Sequence, residues 1–138
     1  MLELFNQLNN TLIITPVKDV PVMDLTHGSY SIEITESLLK ATLIDSFNSI
    51  GIDQWIKAMK EAIATYNDQP FLMLVNELEA TGATPDALLL ANEYNEWLSQ
   101  QNLIAKAVVY SQEVYREIDK QNLPARNQQN IAFFNCCC

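Results

Sequence analysis

The chain has 138 residues, 49% of them hydrophobic, which is the size of one domain able to bury one core. Acidic residues outnumber basic ones 17 to 8, and the resulting charge of -9 repels phosphate backbones and anionic headgroups, which argues against nucleic acid and acidic membranes as partners. No run approaches the roughly 20 apolar residues that span a bilayer, and the start Met1-Leu-Glu-Leu-Phe-Asn-Gln lacks the basic residues of a secretory signal. These features read as a soluble cytoplasmic protein.

Residues 1–25 read as an N-terminal arm outside the regular pattern. Leu4, Phe5 and Leu8 suit one helical stripe, Leu12, Ile13 and Ile14 suit a short strand, and Pro16 and Pro21 interrupt regular structure. From Tyr30 the text is regular, with Tyr30, Ile32 and Ile34 alternating with Ser31, Glu33 and Thr35 as a half-wet strand requires. A second strand over residues 39–44 follows after the turn-like Glu36-Ser37. That connection is too short for a crossover, so the two should pair as an antiparallel hairpin.

Residues 51–66 place Ile52, Trp55, Ile56, Met59 and Ile63 at intervals of three and four, the spacing of an amphipathic helix. Pro70 ends the connection and a buried strand over residues 71–75 begins at once. The segment 76–84 reads as a loop, and Thr84-Pro85-Asp86 as a helix start: a hydroxyl cap, a proline whose missing donor costs nothing there, and an acid at the positive end. Leu90, Ala91, Tyr94, Trp97 and Leu98 form that helix's core stripe. A strand over residues 105–110, a helix capped by Ser111 with Val114, Tyr115 and Ile118, a stop at Leu123-Pro124 and a last strand over residues 131–134 complete the order β-β-α-β-α-β-α-β. Right-handed crossovers make the later strands parallel. The fold class is therefore α/β, a mixed and mostly parallel sheet with an N-terminal hairpin and covering helices over residues 26–138. Such sheets usually carry helices on both faces, and the text supplies none after the last strand, so the N-terminal arm or a protein partner, a second copy among the candidates, should cover an open face or edge.

In this order, residues 30–134 resemble the STAS-like domains, the fold of bacterial anti-sigma-factor antagonists, in the uncharacterised branch grouped with lipid-transfer-like domains. The residues that carry the resemblance are Gly28-Ser-Tyr-Ser-Ile, Phe47-Asn48 with Gly51 and Trp55, Gln69-Pro70-Phe71, and Thr84-Pro85-Asp86-Ala87 with Trp97. The resemblance implies a non-enzymatic, regulatory protein-interaction domain, with a small apolar-ligand or lipid carrier as the alternative. The Asp-x-Ser element of the phosphorylated antagonists is absent from Asn76-Glu-Leu-Glu-Ala-Thr-Gly-Ala-Thr84, so no residue inherits the phosphoserine role. The family's usual final helix is absent too.

Two constellations are candidate sites. In open α/β sheets ligands gather beyond the carboxyl ends of the strands and beside helix starts, which favours Asn76, Thr81, Gly82 and Thr84 as an interaction loop, although a cap accounts for Thr84, a turn for Gly82, and Glu77 and Glu79 would repel an anion. Trp55, Tyr94 and Trp97 can line an apolar pocket, although aromatics on core stripes more often are the core itself. His27, the sole histidine, has no nucleophile placed beside it and reads as a surface or turn residue. With three glycines there is no phosphate-cradling loop, and there is no Gly-x-Ser-x-Gly elbow, so the chain reads as a non-enzyme without a cofactor. Cys136-Cys137-Cys138 lack the spacer and the second cluster of a tetrahedral metal site and read as free thiols at a reduced or artificial end.

Overall fold

The computed structural model describes residues 2–8, 11–16 and 25–135, and the three cysteines lie outside them. The strands are β1 (Leu2–Leu8), β2 (Thr11–Pro16), β3 (Ser29–Ile34), β4 (Leu38–Phe47), β5 (Phe71–Ala83), β6 (Leu103–Tyr110) and β7 (Ile131–Asn135). The helices are α1 (Ser49–Ala64), α2 (Pro85–Leu98) and α3 (Glu113–Asn122), followed by a 3-10 turn, Pro124–Gln128.

All the strands join one sheet in chain order, antiparallel from β1 to β4 and parallel from β4 to β7. The expected hairpin forms with Ile32 opposite Ala41. Leu72 and Leu74 in β5, Val108 in β6 and Phe133 in β7 share the central layer, with Val108 paired to Phe133.

Two strands stand ahead of the predicted first one. The apolar stripe of Leu4, Phe5 and Leu8 was compatible with a helix, but residues 2–8 are extended and pair with β2, which pairs with β3 through Ile13 and Glu33. Backbone groups along the edge of β3 need partners, and an arm that adds strands supplies them without needing a long hydrophobic pattern.

Because each parallel strand is laid beside the last in the same direction, right-handed crossovers put every connecting helix on one face. Accordingly α1 packs on α2 and α2 on α3. Leu39, Ala41, Leu43, Phe71, Met73, Val75 and Val108 point to that face and are buried with Ile52, Trp55, Met59, Ala87, Tyr94 and Leu98. On the opposite face no helix of the described residues covers the sheet, and Leu72 and Phe134 stay 38% and 55% exposed there.

Four of the residues that carry the resemblance, Gly28, Phe47, Asn48 and Gly51, form a structural latch. Asn48 caps α1 by accepting from the Gly51 N–H at 2.9 Å, accepts from the His27 N–H at 3.1 Å, and donates to the Leu25 carbonyl at 2.7 Å. A Cβ at Gly51 would lie 2.1 Å from the His27 carbonyl oxygen, and one at Gly28, whose φ is +95°, would strike the Phe47 ring at 2.6 Å. Only glycine lets the incoming chain lie this close to α1. His27 is exposed, and its backbone rather than its ring makes these contacts.

Candidate functional site

The site arises from a mismatch in strand length. β4 runs to Phe47 and holds β5 in register as far as Ala83, through two irregularities, one of them at Asp45 with a φ of 65°. Pairing of β5 with β6 stops at Glu77 opposite Tyr110. Beyond that point β5 leaves β6, and α3, which begins just after β6, does not fill the gap. No residue of α3 is fully buried, and Val114 and Ile118, expected on its core side, are 54% and 44% exposed. Gln112 rather than Ser111 precedes this helix, and it makes no side-chain cap.

The result is a cleft of about 300 Å³ between the helices and the carboxyl ends of β4, β5 and β6. Leu43, Phe47, Ile52, Trp55, Val75 and Leu88 make its apolar wall. Its polar end is built from Glu77, Asn95, Lys106, Asp119 and Arg126.

Those polar residues divide into two groups. Arg126 is buried in the 3-10 turn, donates from Nη1 to Glu77 Oε1 at 3.2 Å and from Nη2 to Asp119 Oδ2 at 3.5 Å, and lies over the Phe133 ring at 5.1 Å. Burial raises the Asp119 carboxyl to about 6, with the neighbouring Glu77 charge adding to the rise and Arg126 opposing it. Lys106, only 5% exposed, has neutral partners: Nζ donates to Asn95 Oδ1 at 3.0 Å and to Gln129 Oε1 at 3.2 Å. Burial first and the Arg126 charge second push its ammonium down to about 7, while Glu77 pulls the other way. The amides are fixed in turn, since Asn95 Nδ2 donates to the Ala91 carbonyl at 2.8 Å and Gln129 Nε2 to Asn95 Oδ1 at 3.2 Å.

The predicted interaction loop is not a loop. Asn76, Thr81 and Gly82 are strand residues, because the extended β4 offers backbone partners to a segment whose own side chains carry no strand pattern. Asn76 folds its side chain back to accept from the Leu78 N–H at 3.0 Å and does not border the cleft. Thr81 and Gly82 are exposed and form its rim. Thr84 is the N-cap of α2, accepting from the Ala87 N–H at 3.4 Å and donating to Asp86 Oδ1 at 2.5 Å, a bond that holds the Asp86 carboxyl below its ordinary range.

Trp55, Tyr94 and Trp97 form a row, with Trp55 and Tyr94 edge to face at 5.1 Å and Tyr94 and Trp97 at 6.0 Å. They do not line one pocket. Trp55 borders the cleft, Tyr94 is buried behind it, and Trp97 faces a separate groove beside Lys60, whose ammonium lies 5.0 Å from the indole ring. Neither Trp55 Nε1 nor Tyr94 Oη has a hydrogen-bond partner among the described residues. Burial raises the Tyr94 hydroxyl far above its ordinary value.

Lys106, Arg126 and Asp119 carry no motif in the sequence, and Glu77 stands out there only as an acid that would repel an anion from the 76–84 segment. The available signal was Lys106 itself, the one charge in Leu-Ile-Ala-Lys-Ala-Val-Val-Tyr, in phase with Val108 and Tyr110 on the helix side. Among the described residues no group of three or more His, Cys, Asp or Glu is placed to hold a metal, and no helix is long and apolar enough to cross a membrane.

A solved structure shares this architecture: an uncharacterised protein of the DUF3478 family from Shewanella loihica PV-4, described as having a SpoIIAA-like fold. It superposes with a TM-score of 0.53 at 15% identity, over 84% of this chain and 92% of that one. The fold is SpoIIAA-like, of the STAS type. No family model matches the chain, and no curated protein matches it in sequence. The SpoIIAA-like core accounts for the sheet and its helices, while the cleft chemistry belongs to the residues named above.

Proposed function

We propose that this chain is a non-enzymatic binding domain on a SpoIIAA-like scaffold, and that its cleft takes a small, mainly apolar ligand. The observation that carries this reading is the 300 Å³ space walled by Leu43, Phe47, Ile52, Trp55, Val75 and Leu88. A volume at the small end of known ligand sites, with an apolar lining and a few convergent polar groups, is the usual form of a small-molecule site. The position also fits, since ligands of open α/β sheets gather at the carboxyl ends of the strands.

The regulatory protein-interaction role belongs to the same place. Thr81 and Gly82 stand exposed at the mouth, where a Cβ added at Gly82 would meet nothing within 4 Å. A partner seated on this rim reads whether the cleft is filled. Thr84 is a poor switch by comparison, because its hydroxyl already serves the α2 cap.

Native mass spectrometry of protein purified gently from its own cell tests the ligand reading. The expected spectrum shows a species heavier than the chain by one small organic molecule, released on denaturation. A clean apo mass, unchanged after incubation with medium-chain alkyl compounds, contradicts it.

A further inference from the structure

The cleft is apolar along most of its wall and charged at one end, and the charges there are unevenly matched. Arg126 has two carboxylates, Glu77 and Asp119, within ion-pair distance. Lys106 makes no ion pair among the described residues and rests on two amide oxygens, a weaker arrangement for a buried cation than a carboxylate would supply. Asn95 Nδ2 donates to the Ala91 carbonyl and Asn95 Oδ1 accepts from Gln129 Nε2, so Asn95 keeps its partners when the lysine turns from it, and Gln129 stays held through its Nε2.

We propose that the ligand is an unbranched carboxylic acid whose carboxylate is bound by Lys106 and whose alkyl chain lies along Ile52, Trp55 and Leu88. This rests on the small-molecule reading of the cleft and specifies its occupant. The free volume suits a chain of about ten carbons, at the lower limit of ligand-site sizes. A carboxylate supplies the ion partner that Lys106 lacks. An alcohol makes the hydrogen bond without the charge, and an alkylammonium at the same position meets the like charge of Lys106, Arg126 being already paired with Glu77 and Asp119.

The same geometry sets a pH dependence. The titratable and charged groups bordering the cleft with Lys106 are Glu77 from β5, Tyr110 from β6, Tyr115 and Asp119 from α3, and Arg126 from the 3-10 turn, while the bordering residues of α1, α2 and β4 contribute none. Lys106 is protonated below about pH 7 and loses its charge above it, so carboxylate binding weakens as pH rises. Protonation of Asp119 below about 6 removes a competing negative charge and acts in the same direction.

The test is calorimetric titration of the full chain with decanoate, decanol and decylamine at pH 6 and pH 9, on wild type, Lys106→Met and Lys106→Gln. At pH 6 wild type is expected to bind decanoate at least about tenfold more tightly than decanol and decylamine, the value of one charge-assisted contact. That preference should fall severalfold at pH 9 and vanish in either variant, decanoate losing more affinity than decanol, which loses one neutral hydrogen bond. Equal affinity for decanol and decanoate in wild type, or a carboxylate preference that survives loss of Lys106, overturns the acid assignment and leaves the cleft as a site for a neutral ligand. Failure of all three compounds to bind wild type overturns the cleft reading itself, and the acid assignment with it.

Discussion

Arg126→Met is expected to cost about 3–5 kcal/mol of folding stability, measured by urea unfolding at pH 7. Methionine keeps an unbranched apolar stem and gives up the guanidinium, with its two ion pairs and its place over the Phe133 ring at 5.1 Å, so the loss is chiefly electrostatic. It removes the guanidinium shared by Glu77 and Asp119, whose side chains are 14% and 22% exposed, and leaves two carboxylates facing each other at the cleft's polar end. The pH dependence identifies the cause. Asp119 titrates near 6 in the folded protein, above the unfolded carboxyl value of about 3.9, so its folded form takes up a proton first as pH falls. Without Arg126, which holds that value down, Asp119 takes up its proton at a higher pH in the variant, so the repulsion eases as pH falls and the difference from wild type should shrink toward pH 4. A loss of stability that is constant from pH 4 to pH 8 would mean that Arg126 acts by packing alone.

Lys106→Met is expected to shift stability the other way. A lysine whose folded value is about 7 and whose unfolded value is about 10.4 binds fewer protons in the folded state between those limits. Wild-type stability should therefore rise as pH increases from 7 to 10, and the burial penalty is present in full below 7. Methionine fills similar volume without a charge, and Asn95 Oδ1 still accepts from Gln129 Nε2 at 3.2 Å. A gain of order 2–3 kcal/mol at pH 6 is expected in thermal or urea melts, falling toward zero by pH 10. A destabilised variant at pH 6 would show that the lysine's bonds to Asn95 and Gln129 outweigh its desolvation. A residue that costs stability while bordering a cavity is the kind of local inconsistency expected at a functional site.

How much of this was legible in the sequence varies element by element. The helix of residues 51–66 and the α2 start at Thr84-Pro85-Asp86 were readable because spacing and capping are local physics, and the structure has α1 at Ser49–Ala64 and α2 at Pro85–Leu98 with Thr84 as cap. The parallel order of β4 to β7 followed from the helical crossovers between them. The length of β5 was not readable. Glu77 to Ala83 carry no strand pattern and are extended because β4 reaches far enough to pair with them, a property of the partner strand. For the same reason β1 and β2, which extend one end of the sheet, were read as an arm.

The cleft was hidden for a related cause. Its volume depends on where β5 parts from β6 and on how far α3 stands from the sheet, neither of which periodicity encodes. The aromatic stripe led to Trp55, which borders the cleft, but also to Trp97, which faces a different groove, because helical spacing does not distinguish a filled interface from one with a gap. Lys106 was visible as a lone charge in an apolar strand. Its partners Asn95 and Gln129 are 11 and 23 residues away in the chain and become apparent only in the fold.

The central claim, that an apolar chain enters between Trp55 and the carboxyl ends of β5 and β6, is tested most directly by fluorescence of single-tryptophan variants. The chain has two tryptophans, one bordering the cleft and one facing the other groove. Titrating decanoate into Trp97→Phe, in which Trp55 alone reports, should give a saturable change in emission, and Trp55→Phe, in which Trp97 alone reports, should respond little. A response confined to Trp97, or none in either variant, would contradict the account.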